Sequence, residues 1–76
     1  MKRLSLIQLK ENRKARVAEI CAGSALHNRL MSMGIYKDRE LTKLSHIGLK
    51  GPVVIKVGRT ILALGHGMAG KIIVET

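Results

Sequence analysis

Four side chains in this 76-residue sequence are donors of the kind that hold divalent transition ions: Cys21, His27, His46 and His66. Met31, Met33 and Met68 add softer thioethers, and iron or zinc is the ion this donor set would suit. The spacing does not build a site locally. No two of the Cys and His positions show the C-x₂-C or H-x₃-H interval that sets two ligands on one turn. A metal site would therefore be assembled in space or across a dimer interface. The plainer alternative places the histidines on surface turns and the methionines in gaps of the core.

Gly65-His66-Gly67-Met68-Ala69-Gly70 spells G-x-G-x-x-G after the apolar run Ile61–Leu64. Cradling a dinucleotide with that motif needs a helix N-terminus under the pyrophosphate, a second parallel strand and an acid about 20 residues further on. Only six residues follow. No cofactor is expected, and the segment reads as a tight glycine-rich turn linking two antiparallel strands. Catalytic groups are also sparse. Asp38 and Glu40 flank Arg39, while Glu11, Glu19 and Glu75 are scattered, so no carboxylate pair is set up for acid–base work. Cys21 with a histidine could make a nucleophile and base, but no local signature accompanies it, and it reads as a structural or incidental thiol. The expectation is that the chain is not an enzyme.

Charge is the strongest compositional signal. Fourteen Lys and Arg stand against five Asp and Glu, a formal net charge of +9. Six of those cations (Lys2, Arg3, Lys10, Arg13, Lys14 and Arg16) fall in the first sixteen residues against Glu11 alone. Nucleic acid is the first partner such a balance suggests. Small single-strand binders stack bases on aromatic rings, however, and Tyr36 is the only aromatic residue here. What survives is phosphate attraction without base readout, attraction to an acidic protein surface, or a solvated face that keeps an apolar domain in solution. A lone cysteine cannot form an internal disulfide, which points to a reducing compartment. The Met1-Lys2-Arg3-Leu4 start fails as a signal segment by residue 8, and no apolar run approaches the roughly 18 residues of a membrane span. A cytoplasmic location is expected.

The elements that must position these residues are mostly strands. The core is aliphatic, carried by ten Leu, eight Ile and five Val with no Phe or Trp. Residues 15–21, 39–47, 53–57, 61–64 and 71–75 are short, aliphatic or β-branched, and bounded by turn residues. Val53, Ile55 and Val57 alternate with Lys56, as in a half-buried strand. Leu41, Leu44 and Ile47 fall three apart, which implies a bulge or a bent strand end. Turns are expected at 48–52 and 58–60. Leu26, Leu30 and Met33 form one stripe of a short helix over residues 25–34, with Ser24 as its N-cap and Gly34 closing it. The fold expected from 1–76 is one mainly β domain, a small curled barrel of about five strands with one docked helix. Self-pairing at a bare strand edge would make a homo-oligomer.

The order of these features resembles the FeoA family, the small ferrous iron transport protein A of bacteria and archaea. It also resembles the related barrel domain of iron-dependent repressors. The resemblance runs through Leu6-x-x-Leu9, Arg16-Val17-x-x-Ile20 and Asn28-Arg29-Leu30-x-x-Met33-Gly34-Ile35. It continues through Gly51-Pro52-Val53, Gly58-x-x-Ile61-x-Ala63-Leu64 and Ala69-x-x-Ile72-x-Val74. In two places the chain departs from the family pattern. Lys37-Asp38 stands where a Pro-Gly turn is usual, although Asp tolerates a left-handed position. Gly-His-Gly-Met stands where the family has a charged helical turn ending in Ala, which weakens that turn. The resemblance implies an SH3-like barrel that is a cytoplasmic, non-enzymatic accessory of FeoB, the membrane ferrous iron transporter with a GTPase domain, at the inner face of the membrane. Under it, Arg13, Lys14 and Arg16 with Arg29 of the helix would meet an acidic surface of the transporter. A transition-metal-binding domain and a basic nucleic-acid-associated barrel are the alternatives.

Overall fold

The computed structural model describes residues 2–48 and 50–76. Its strands are β1 (Arg3–Ser5), β2 (Arg13–Ile20), β3 (Glu40–His46), β4 (Val53–Val57), β5 (Thr60–Leu64) and β6 (Ile72–Glu75), with helices α1 (Ser24–Ser32) and α2 (His66–Ala69). All neighbours are antiparallel and the sheet order is β1-β6-β2-β3-β4-β5. The five expected strands are present within two residues at each end. β1 is additional: three residues are too few to show alternation, and it forms by pairing Arg3, Leu4 and Ser5 with Glu75, Val74 and Ile73. Leu49 of the expected 48–52 turn lies outside the described residues.

Alternation decides which side chains face inward. Val53, Ile55 and Val57 are buried while Lys56 is exposed, as the sequence pattern requires. The Leu41–Leu44–Ile47 phase break is a bulge: β3 pairs with β4 at Lys43 and again at Ser45, skipping Leu44. A second bulge at Ala18 interrupts the β2–β6 ladder between Val17 and Glu19. These two kinks curl the sheet around a core of Val17, Leu41, Val53, Ile55, Ile72 and Val74, each no more than 2% exposed.

The helix α1 lays Leu30 fully into that core, with Leu26 and Met33 packed beside it. Its start differs from expectation. Gly23, in extended conformation, is the cap residue with no side-chain bond, and Ser24 is already helical. Its end follows expectation. The Gly34 N–H donates to the Met31 carbonyl and the Ile35 N–H to the Leu30 carbonyl, at 3.0 and 2.9 Å, around a left-handed Gly34 with φ of 90°. That is a Schellman closure, and its apolar clasp is the buried pair Leu30 and Ile35. A Cβ at Gly34 would meet only Val57 Cγ1 at 3.7 Å, so Gly34→Ala acts through the backbone and not through a clash. It is expected to destabilise the domain by about 1–2 kcal/mol, lowering Tm by about 4–8 °C per kcal/mol in a thermal melt. Asp38 has φ of 73°, so it does take the left-handed position.

Residues 65–70 differ more. They form a single helical turn and not a hairpin, with the Ala69 N–H donating to Gly65 O and Gly70 N–H to His66 O. Because β6 inserts between β1 and β2, away from β5, the chain has to cross over instead of folding straight back. Ala69 is fully buried, and a Cβ at Gly70 would stand 3.1 Å from Ile7 Cδ1. Close packing therefore holds this turn despite its interior Gly67.

One inward position of the sheet is charged. Lys43 follows Leu41 on the core face of β3 and is 1% exposed. Its Nζ donates to the carbonyls of Ile7 at 2.9 Å and Leu9 at 2.6 Å, while its own carbonyl accepts from Asn12 N–H at 2.7 Å. Burial lowers the Lys43 pKa, opposed by the nearby Glu11 carboxylate. This lysine latches the segment between β1 and β2 onto the sheet, where Leu6 and Leu9 close the core. The segment begins with a reciprocal cap: Gln8 N–H donates to Ser5 Oγ, and Ser5 N–H donates to Gln8 Oε1.

Candidate partner-binding surface and histidine pair

Alternation along β2 divides the cationic cluster read from the sequence. Lys14 and Arg16 share one face of the strand and Arg13 lies on the other. Flanking strands supply carboxylates to the first face. Glu75 of β6 stands opposite both Arg3 of β1 and Arg16 of β2, accepting from Arg3 Nε at 3.1 Å and from Arg16 Nη2 at 3.0 Å. Lys14 Nζ lies 3.6 Å from Glu40 of β3, with both side chains about two-thirds exposed, so that pair is weak.

The hydrogen bonds from Arg16 and Arg3 hold the Glu75 carboxyl below its usual range. A depressed folded-state pKa stabilises the fold above the unfolded-state value and loses that contribution as pH falls through the folded one. Thermal midpoints followed from neutral pH down past about pH 4.3 should therefore drop for the parent chain. They should drop less steeply for Glu75→Gln. Parallel curves would remove Glu75 from the acid response.

Arg13 is brought to a different set. With Lys2 and Lys10 it lines a shallow depression of about 210 Å³, which Leu4, Gln8, Leu9 and Thr76 also line. None of the three cations has a carboxylate within ion-pair distance among the described residues. The Lys43 latch fixes this rim, since Lys10 follows the Leu9 carbonyl it holds. Lys2 and Lys10 could have been found from the excess of cations in the first sixteen residues, but their convergence with Arg13 needs the latch. Arg29 is exposed on α1, away from any ion pair among the described residues. Tyr36 is 38% exposed, and its ring is engaged by Arg39, whose Cζ lies 5.7 Å from the ring centroid and whose Nη1 donates to the hydroxyl at 3.0 Å.

The four expected metal donors do not converge. Among the described residues no group of three or more His, Cys, Asp or Glu is arranged to hold an ion. Cys21 is exposed after β2 and donates Sγ–H to Glu19 Oε2 at 3.1 Å, which raises its pKa and keeps it a thiol. His27 sits half-buried on α1. His46, at the end of β3, and His66, at the start of α2, do meet, with ring centroids 5.9 Å apart and planes tilted by 35°. The Nε2 of His46 is buried without a hydrogen-bond partner among the described residues.

Comparison with known proteins places this arrangement. The FeoA domain model matches residues 4–76. A protein of Methanocaldococcus jannaschii described as Fe(2+) transport protein A is 38% identical over 66 residues, covering 87% of this chain and 78% of that one. A crystal structure described as iron uptake regulatory protein (FeoA) superposes with a TM-score of 0.87 at 28% identity, covering 99% of this chain and 97% of its own. The zinc complex of Stenotrophomonas maltophilia FeoA, described as a procaryotic SH3 domain protein, superposes with a TM-score of 0.80 at 25% identity, covering 95% and 89%. A manganese-dependent transcriptional repressor shares the fold over 99% of this chain but 37% of its own, with a TM-score of 0.87 at 22% identity. The curled sheet is thus the SH3-like fold also found in metal-dependent repressors, and the chain belongs to the FeoA family.

Proposed function

We propose that this chain is a non-enzymatic accessory protein of ferrous iron uptake. It works in the cytoplasm by docking on the cytosolic part of a FeoB-type membrane transporter with a GTPase domain. Family membership and the name of the Methanocaldococcus relative support the iron-transport role. The observation that carries the docking step is the depression rimmed by Lys2, Lys10 and Arg13, whose charges have no carboxylate partner among the described residues. On a chain of net charge +9 this rim attracts an acidic protein surface. Such complementarity raises the encounter rate and orients the partner more than it deepens affinity.

Each residue has a distinct role in this reading. Arg13, Lys10 and Lys2 make the primary contact, and Arg29 of α1 extends it. Lys14 and Arg16 contribute less, because Arg16 is already bonded to Glu75 and Lys14 lies 3.6 Å from Glu40. The functional test is ferrous iron uptake in cells that carry a FeoB-type transporter and lack their own FeoA. Restoring this chain should raise uptake of radiolabelled ferrous iron, and unchanged uptake with the chain present would overturn the role. No helix among the described residues is long and apolar enough to cross a membrane, so in this reading attachment to the membrane comes through the transporter.

A further inference from the structure

We propose that His46 and His66 form a two-imidazole binding site for a divalent first-row transition ion, with the remaining coordination positions filled by water. Buried polar nitrogens in folded proteins are nearly always bonded to something. The buried Nε2 of His46 has no partner among the described residues, and a second imidazole stands beside that ring, the two centroids 5.9 Å apart. Nor do the two rings satisfy each other by a hydrogen bond. Imidazole nitrogens that share one ion, with bonds of about 2.0–2.1 Å, place their ring centres roughly 5–6 Å apart. The observed 5.9 Å falls within that range.

The two rings are carried by well-held backbone. His46 is paired with Val53 across β3 and β4, and its N–H donates to Glu11 Oε2 at 3.2 Å. His66 opens α2, where its carbonyl accepts from Gly70 N–H at 3.0 Å. Glu11 also sets a negative charge next to the His46 backbone on an otherwise basic chain. With no third His, Cys, Asp or Glu arranged around an ion among the described residues, the site is a labile one and not a structural staple. Zinc and nickel are held more tightly here than ferrous iron, following the usual order for nitrogen ligands. Ligation at Nε2 requires the His46 proton to sit on Nδ1. The proposal does not rest on the docking reading, since it is read on the isolated protein.

The test uses the full chain without a histidine tag. Zinc and nickel chloride are titrated by calorimetry, while the ring nitrogens of ¹⁵N-labelled histidines are followed by NMR. The expected result is one ion per chain, with Nε2 of His46 and one ring nitrogen of His66 perturbed together. His46→Gln and His66→Gln should each weaken binding by more than about tenfold, whereas Cys21→Ser and His27→Gln should not. Failure to bind either ion at millimolar concentration would overturn the proposal. So would binding that survives both glutamine variants, or that depends on Cys21 or His27. If one glutamine variant does not fold, the ring-nitrogen shifts of the unaltered chain decide the matter: joint perturbation of His46 and His66 upholds the site, and shifts confined to other histidines overturn it.

Discussion

Lys43→Ala is expected to destabilise the domain by about 2–4 kcal/mol, the combined scale of a buried aliphatic truncation and of lost hydrogen bonds from a charged donor. The change removes a stem packed in the core and leaves the Ile7 and Leu9 carbonyls, 36 and 34 residues away in sequence, without their donor. Lys43→Met separates the two parts. Methionine keeps most of the volume and removes the ammonium with its desolvation cost, so the remaining loss, about 1–2 kcal/mol, reports the unpaired carbonyls. Chemical denaturation gives both energies. Amide hydrogen exchange should show residues 6–12 opening in Lys43→Met while β3, β4 and β5 stay protected. A methionine variant as stable as the parent, with that segment equally protected, would show that Lys43 does not latch it.

Reversing charge at Lys10 and Arg13 is expected to weaken binding to an acidic partner more than reversing Lys14 and Arg16. The arithmetic of charge is the same in the two double variants, a change of four units each, so a purely long-range field predicts equal losses. The local arrangement predicts unequal ones. Lys10 and Arg13 line the open depression with Lys2, whereas Arg16 is already bonded to Glu75 and Lys14 lies against Glu40. Lys10→Glu/Arg13→Glu should cost at least about tenfold in affinity, the low end for charge pairs at an interface. It should also flatten the salt dependence. Arg16→Glu would additionally break the clasp that ties β1, β6 and β2 through Glu75, so the comparison needs thermal melts to confirm that each variant is folded. Equal losses would remove the depression from the interface.

Much of the fold was legible because alternation and phase are local. Val53–Val57 showed its buried face directly, and the three-residue spacing of Leu41, Leu44 and Ile47 pointed to a bulge or a bent end, of which the structure has the bulge. Gly34 and Asp38 were readable as left-handed positions because steric limits on φ act residue by residue. The short strand β1 was not legible, since it exists only through β6. Nor was the helical turn at 66–69, where Gly67 and the flanking Gly65 and Gly70 hide a segment held by the burial of Ala69. Lys43 misleads on type: a lysine on a strand reads as an outward residue until two distant carbonyls converge on it. In the candidate site, the separation of Arg13 from Lys14 and Arg16 was implicit in strand alternation. The neutralisation of Arg16 was not, because Glu75 reaches it only by insertion of β6 between β1 and β2. His46 and His66 carried the right chemistry in the sequence, and topology alone made them neighbours.

The proposed function stands on the docking of this small basic barrel on the cytosolic part of a FeoB-type transporter. Titration of that isolated cytosolic part with the purified chain, at low and at high salt, tests it most directly. Docking should give a saturable one-to-one isotherm at low salt that shifts to weaker affinity as salt rises. Absence of saturable binding even at low salt would contradict it. So would equal binding of an unrelated protein of the same net charge.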